Sequence, residues 1–577
     1  MAVKLALSLL LLFFVTVFVS ASCSAAEKTQ TSGGATENLP IPVQQKADIE
    51  YLLGYENEIN GKWEEALNNY SNALKFDPSS AYLKTQTGRM LVKLDRIADA
   101  IVRLEEVLKE SPDYVPAMMY LGELYNSQKR VDEAIAMYER ALKIEPEKTE
   151  TLLFLGVLYA SKHDFEKGQK FFQQVLNKAP DNLMAIYYLG TIYVEKKKYE
   201  AAEEQFKKII EINPSFEAAY LNLGLVNEIK GNLKLAEEYY RKALELNPQD
   251  VFIRERLAQL YISGKSYDKA VKELEEIARN IPNVDIHAKL GMLYLQEHEY
   301  DRAVSEFRLV TAAKPDDIAA HYYLSLALDE LKRYNEAIVE LKKILVLDPK
   351  NLNAFLTLAF IYTKLNHLSD AAQVYAELLT FDQTKPEIFS QLGNIYIQAK
   401  DYKKAEEVLK RGLELFNDND ELYFTAAVLD EKTGHFDDMV ASLKKVIEIN
   451  PKHADALNYL GFSYADKGIR LQEALSLIQK ALDLKPDSGY IIDSLGWVYF
   501  KLGKQKEALK YLRKALGSVS DDPVLFEHLG DVYEAMGNPN EALDAWNNAL
   551  KFHEKEEGVK ERVEQKILKL KAKHKIK

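Results

Sequence analysis

Cysteine is nearly missing from this chain: its 577 residues contain one, Cys23. That excludes an intramolecular disulfide framework and any multi-cysteine zinc or iron–sulfur centre. There are only 17 prolines and 25 glycines, too few for a collagen-like or low-complexity chain. Positive charge is not in excess either. Lys and Arg number 75 against 88 Asp and Glu, a formal net charge of −13. A global basic footprint for nucleic acid is therefore absent. The sequence contains no G-x-x-x-x-G-K-[ST] or G-x-G-x-x-G phosphate loop, no G-x-S-x-G elbow and no H-E-x-x-H metal helix. Its ten histidines are scattered, the closest pair (His287 and His298) lying eleven residues apart. They read as surface residues, not ligands. What is abundant is apolar residues, at 47%, and charged residues, at 28%. That mixture can bury a large core and is not globally disordered.

Residues 1–26 read as an export signal. Lys4 and the amino terminus precede an uncharged run from Leu5 to Val19, followed by Ser20, Ala21, Ser22, Cys23, Ser24, Ala25 and Ala26. Fifteen uncharged residues suit a signal core and fall short of the ~20 that span a bilayer. The single cysteine within a small-residue cleavage zone resembles a bacterial lipoprotein signal, although Ser20 stands where that signal usually has a Leu-like residue. The resemblance implies cleavage before Cys23, lipidation of its thiol and, because Ser24 follows, residence in the outer membrane. Cleavage after Ala26 to give a soluble exported protein, or retention as an inner-membrane anchor, remain alternatives. Residues 24–46 hold Gly33, Gly34 and two prolines without helical periodicity. They read as a flexible tether reaching ~25–30 Å.

Self-similarity governs the rest. Eleven of the 17 prolines fall in one column with a step of about 34: Pro78, Pro112, Pro146, Pro180, Pro214, Pro248, Pro282, Pro315, Pro349, Pro451 and Pro486. A small residue stands upstream of each, glycine in most repeats (Gly54, Gly88, Gly122) and Ala258, Ser325, Ala359 or Ala427 in others. Twelve residues after it comes an alanine column (Ala66, Ala100, Ala134), broken only by Gly168 and Met439. Small residues at both positions allow two helices to cross closely, and proline ends the second helix. The stretch 218–248, AAYLNLGLVNEIKGNLKLAEEYYRKALELNP, resembles the tetratricopeptide repeat consensus. The resemblance covers fifteen units over 47–554. It implies an all-α, right-handed superhelical solenoid of antiparallel helix pairs, expected here as one domain. The pattern is weakest around Ala427, which reads first as simple divergence of the repeat and otherwise as the best sequence candidate for a flexible seam. Residues 555–577 read as a basic, amphipathic capping helix with Val559, Val563, Ile567 and Leu570 on one face.

Repeats leave no stretch of ~100 residues for a catalytic unit. Neither a catalytic site, a cofactor site, a metal site nor a small-molecule substrate is expected. By resemblance, the first helix of each unit lines the concave surface and binds proteins or peptides. The inward positions hold Tyr187, Leu221, Leu225, Met292, Leu295, Tyr322, Leu326, Leu356, Phe360, Phe424, Phe462, Trp497 and Phe500. Acids mix in at Glu123, Glu228, Asp329, Glu431, Asp493 and Asp531. An apolar groove rimmed by acid suits an extended or helical peptide with apolar anchors and basic flanks. The alternative is that these side chains pack between neighbouring helices. Two ligand modes of the family find no match: inward positions hold few basic residues, and the asparagine-ladder column has only Asn222. The expected role is a non-catalytic scaffold of the bacterial cell envelope. A substrate-recruiting subunit of an envelope enzyme complex, such as a glycosyl transferase, is the alternative.

Overall fold

Each repeat converts its small-residue columns into two helices, a first of about 13 residues and a second of about 14. The structure, a computed structural model, describes residues 42–574. Among them thirty α-helices form fifteen consecutive pairs, followed by a 3-10 turn, His553–Lys555, and a closing helix, Val559–His574. No strand occurs among the described residues. The signal segment and Cys23 lie outside them. The first helix, Val43–Ile59, starts inside the expected tether.

The described chain divides into two compact units after Ile281. The first has seven pairs, from Val43–Ile59 to Tyr267–Asn280. The second has eight, from Val284–Gln296 to Pro539–Lys551, with the closing helix. Each unit is an all-α stack of antiparallel pairs of the right-handed solenoid type. The proline column runs through the division in register, which is why a single domain is the natural reading of the sequence. One irregularity marks the place: nine positions separate Pro282 from Gly291, where ten separate Pro248 from Ala258. The weak pattern around Ala427 is not a gap in packing. Ala427 and Met439 are buried in one core cluster with Leu443, Val446 and Leu457.

The crossing within each pair explains the columns. The small residue of the first helix faces the residue sixteen positions later on the second. A Cβ on Gly224 would lie 2.4 Å from the Tyr240 ring, and one on Gly122 2.8 Å from Tyr138. Opposite the thinner Leu274 and Leu341 the small residue is Ala258 or Ser325, and one pair sets Ala359 in register with the Tyr375 ring. The alanine column is fully buried at Ala202, Ala236 and Ala270. Side chains of Asn182, Asp250, Asp317 and Asn351 cap first helices by accepting a backbone N–H bond, which satisfies an otherwise unpaired donor.

Between the two helices the chain makes one left-handed residue per repeat, always seven after the small column. Glycine fills it at Gly61, Gly231, Gly434, Gly468, Gly503 and Gly537; Asp95, Lys129, His163 and Lys197 are among the others. The one-residue insertion before Ala474 is taken up by a second left-handed residue, Arg470 at φ 47°.

The crossing sets a stability expectation. Gly224→Ala drives a methyl into the Tyr240 ring and costs about 1–3 kcal/mol, the usual cost of overpacking. Pairing it with Tyr240→Leu, which restores the Ala258–Leu274 combination, recovers most of that loss. Urea unfolding of the three variants checks both statements.

Candidate protein-docking surface

Because first helices within each unit lie side by side, a residue on one can meet the residue 35 positions later on its neighbour. In the first unit, Asn222 Nδ2 donates to Tyr187 Oη at 3.3 Å. In the second, Lys364 Nζ donates to both oxygens of Asp329 at 2.9 Å, and His528 Nδ1 lies 3.0 Å from Asp493. Adjacent first helices are stitched by polar pairs at this spacing.

The thirteen expected inward residues all lie on first helices, in unequal settings. In the first unit, Tyr187 is buried, with its ring against Tyr188, Phe206 and Phe216. Leu221 and Leu225 are half-buried. In the second unit, Met292 and Phe360 are 48% and 53% exposed. Leu295, Tyr322, Leu326, Leu356, Phe424, Phe462 and Phe500 are half-buried, and Trp497 is buried. Packing thus claims Tyr187 and Trp497, and neither offers its face to a partner. Met292, Leu326 and Phe360 occupy one position in three successive repeats and form an apolar row. Phe424 is stacked on His453 at 5.0 Å, with Tyr459 edge-on at 6.1 Å.

The acidic rim is largely neutralised from within. Glu228 accepts from Tyr240 Oη at 2.6 Å and from Arg256 at 2.9 Å. Asp329 holds Lys364, whose ammonium also lies 4.6 Å from the Phe360 ring centre. Glu431 accepts from the Tyr459 hydroxyl. Asp531 accepts from Lys566 at 2.6 Å. Glu123 differs: loss of solvation, then the nearby charge of Glu150, holds its carboxyl above the ordinary range. Charge attraction for basic flanks is therefore weaker than the sequence suggests.

Two histidines correct the surface reading. His321 is buried, between Glu340 at 2.5 Å and the Pro315 carbonyl at 3.1 Å. His528 is buried against Trp497, with ring centroids 3.9 Å apart and planes at 17°. Trp497 Nε1 in turn donates to Asp466 at 3.3 Å. Composition gave no sign of these; the 35-residue offset to Asp493, in a 34-residue repeat, could have.

The closing helix completes this end of the second unit. Val559, Val563 and Leu570 are fully buried and Ile567 half-buried. Arg562 pairs with Glu527 at 2.9 Å, and Lys566 with Glu527 at 2.8 Å. Basic residues of the tail thus serve the last repeat's own acids. Among the described residues no group of three or more His, Cys, Asp or Glu could hold a metal ion. No helix there is long and apolar enough to cross a membrane.

Comparison with known proteins agrees with this geometry. Tetratricopeptide repeat profiles match residues 217–250, 288–351 and 357–558. The profile of the cytochrome c-type biogenesis protein H TPR domain matches 92–220. A TPR repeat-containing protein of Pseudomonas aeruginosa is 38% identical over 102 residues, 18% of this chain and 17% of that protein. The chain thus spans about a sixth of that relative's length. Among solved structures, a Naa15/Naa10 complex bound to HypK-THB shows 15% identity and a TM-score of 0.35, covering 90% of this chain and 100% of that one. Yeast Tom70 shows 16% and 0.35, covering 80% and 96%. MamA shows 26% and 0.27, covering 28% and 94%. At these scores the three structures carry no argument about function. The chain is a tetratricopeptide-repeat protein of the solenoid family, and its architecture is one suited to protein–protein interaction.

The buried histidine gives this end a pH response. Burial by itself would lower the His528 imidazole, but Asp493 first, and then Asp531 and Glu527, outweigh it and hold it above its ordinary value. Arg562 and Lys566 stand behind those acids on the closing helix. A raised folded value means the stabilisation is complete below the ordinary ~6.5 and is lost as pH rises through the elevated value. Hydrogen-exchange protection of 489–535 therefore falls as pH rises above about 6.5, and the wild-type advantage over His528→Gln shrinks in the same direction.

Proposed function

We propose that this protein is an exported scaffold of the bacterial cell envelope. In this reading Cys23 anchors it to the outer membrane through lipid, and it docks partner proteins or peptides on its first-helix face. The observation that carries docking is the row Met292, Leu326 and Phe360. Apolar side chains are left accessible at one position of three successive repeats, while neighbouring polar groups are satisfied internally. Exposed apolar rows of this kind mark interaction sites. Export and anchoring rest on Leu5–Val19 and the placement of Cys23. A second reading, recruitment of substrates to an envelope enzyme complex, uses the same surface and differs in the partner's identity.

Two measurements test this. Mass spectrometry of the mature amino terminus finds an acylated Cys23; Met1 retained without lipid contradicts the anchor. In affinity purification from intact envelopes, Met292→Asp/Phe360→Asp lowers partner recovery about tenfold, the scale of losing central apolar contacts, with an unchanged melting curve. By contrast Tyr187→Ala lowers stability by about 3–5 kcal/mol, because it empties a packed site. Several structural envelope proteins in the eluate support the scaffold; one stoichiometric enzyme supports the second reading.

A further inference from the structure

The first unit's opening helix, Val43–Ile59, leaves bare a face that later first helices in that unit cover. Ile49 corresponds by the 34-residue register to Ala117, Ala185 and Ile253, all fully buried; Leu53 corresponds to Leu121, Leu155 and Leu223, buried to 2% or less. In those repeats the preceding pair covers the face. Ile49 and Leu53 are instead 46% and 43% exposed, and Leu52 and Ile59 beside them are exposed as well. A terminal repeat in a soluble stack usually presents a polar outer face.

The face carries a specific pattern. Lys46, Ile49, Leu53 and Glu56 recur at steps of three, four and three, the spacing of a coiled-coil seam. Glu56 stands where later repeats bury apolar Met90, Leu124 and Val226. A carboxylate there is wasted on an apolar neighbour and suited to a cation. Lys46 is half-exposed, its ammonium 5.8 Å from the Phe76 ring centre. Read in opposite directions on two antiparallel helices, the seam complements itself: Lys46 faces Glu56, Ile49 faces Leu53, and each pairing occurs twice. This is the self-complementarity an isologous two-fold interface requires.

We propose that this face is a homodimer interface, in which Val43–Ile59 of one copy packs antiparallel on the same helix of a second copy. One helix ~25 Å long offers less than the ~800 Å² per partner of a standard interface, so the dimer is weak and concentration-dependent. The inference stands on this helix alone and is independent of lipidation and of the partner-docking row.

Sedimentation velocity of the full chain in mild detergent, across a hundredfold range of concentration, tests it. A reversible dimer is expected. Leu53→Asp makes the protein monomeric. Lys46→Glu and Glu56→Lys each raise the dissociation constant about tenfold, since two ion pairs become repulsive. The double variant Lys46→Glu/Glu56→Lys returns it to the wild-type value. Unchanged circular dichroism and melting in all four show that the fold is retained. A monomer at every concentration, a dimer indifferent to Leu53→Asp, or a double variant no better than the singles overturns the proposal. So does a monomer whose Val43–Ile59 amides are protected only while Leu5–Val19 is present, because the chain's own segment would then be the occupant.

Discussion

The structure depends on one close approach repeated along the chain. In each pair a residue with little or no side chain on the first helix receives a ring or branched side chain from the second, as Gly224 receives Tyr240 and Gly122 receives Tyr138. That contact fixes the separation and crossing of the pair. Because the pairs are nearly equal, within each unit they stack with their first helices side by side. The local contact therefore sets the geometry of the surface. In a linear stack each repeat has only its neighbours for stability, so an error at one crossing is not diluted by a distant core.

The same regularity decides what the surface can do chemically. Acid–base or nucleophilic catalysis requires converging groups in a cleft that perturbs their ionisation. Here polar side chains are drawn into pairs between adjacent helices: Asp329 with Lys364, Glu228 with Arg256, Asp493 with His528. Such pairs neutralise one another and lock the stack. What they leave accessible is apolar, at Met292 and Phe360, with Leu326 partly covered between them. If the proposed row docks a partner, shape and apolar area select it more than net charge does, despite the formal −13 of the chain.

Much of this was legible in the order of residues. The proline, glycine and alanine columns give the number of pairs and their boundaries to within a few residues, because each column reports a steric requirement that only small or helix-ending residues meet. Finer properties were not legible. Tyr187 and Trp497 occupy inward columns but are taken up by packing, Tyr187 against Phe206 and Phe216 and Trp497 against His528, whereas rings in the same columns at Tyr322 and Phe360 stay half-buried and exposed. His321 and His528 look like isolated histidines in sequence because their partners lie 19 and 35 positions away, a relation visible only once the superposition of one repeat on the next is known. The division after Ile281 is masked by a proline column that continues through it; the missing position between Pro282 and Gly291 is its one trace.

Photo-crosslinking in living cells tests the central claim most directly. A photoreactive residue would be placed at Met292, Leu326 or Phe360 on the first helices, and at Leu309 or Val339, as exposed as Met292 and Phe360, on second helices. The account predicts discrete partner crosslinks from the first set and none from the second. Crosslinks from Leu309 and Val339, with silence at Met292, Leu326 and Phe360, would place recognition on the opposite helix layer and contradict it.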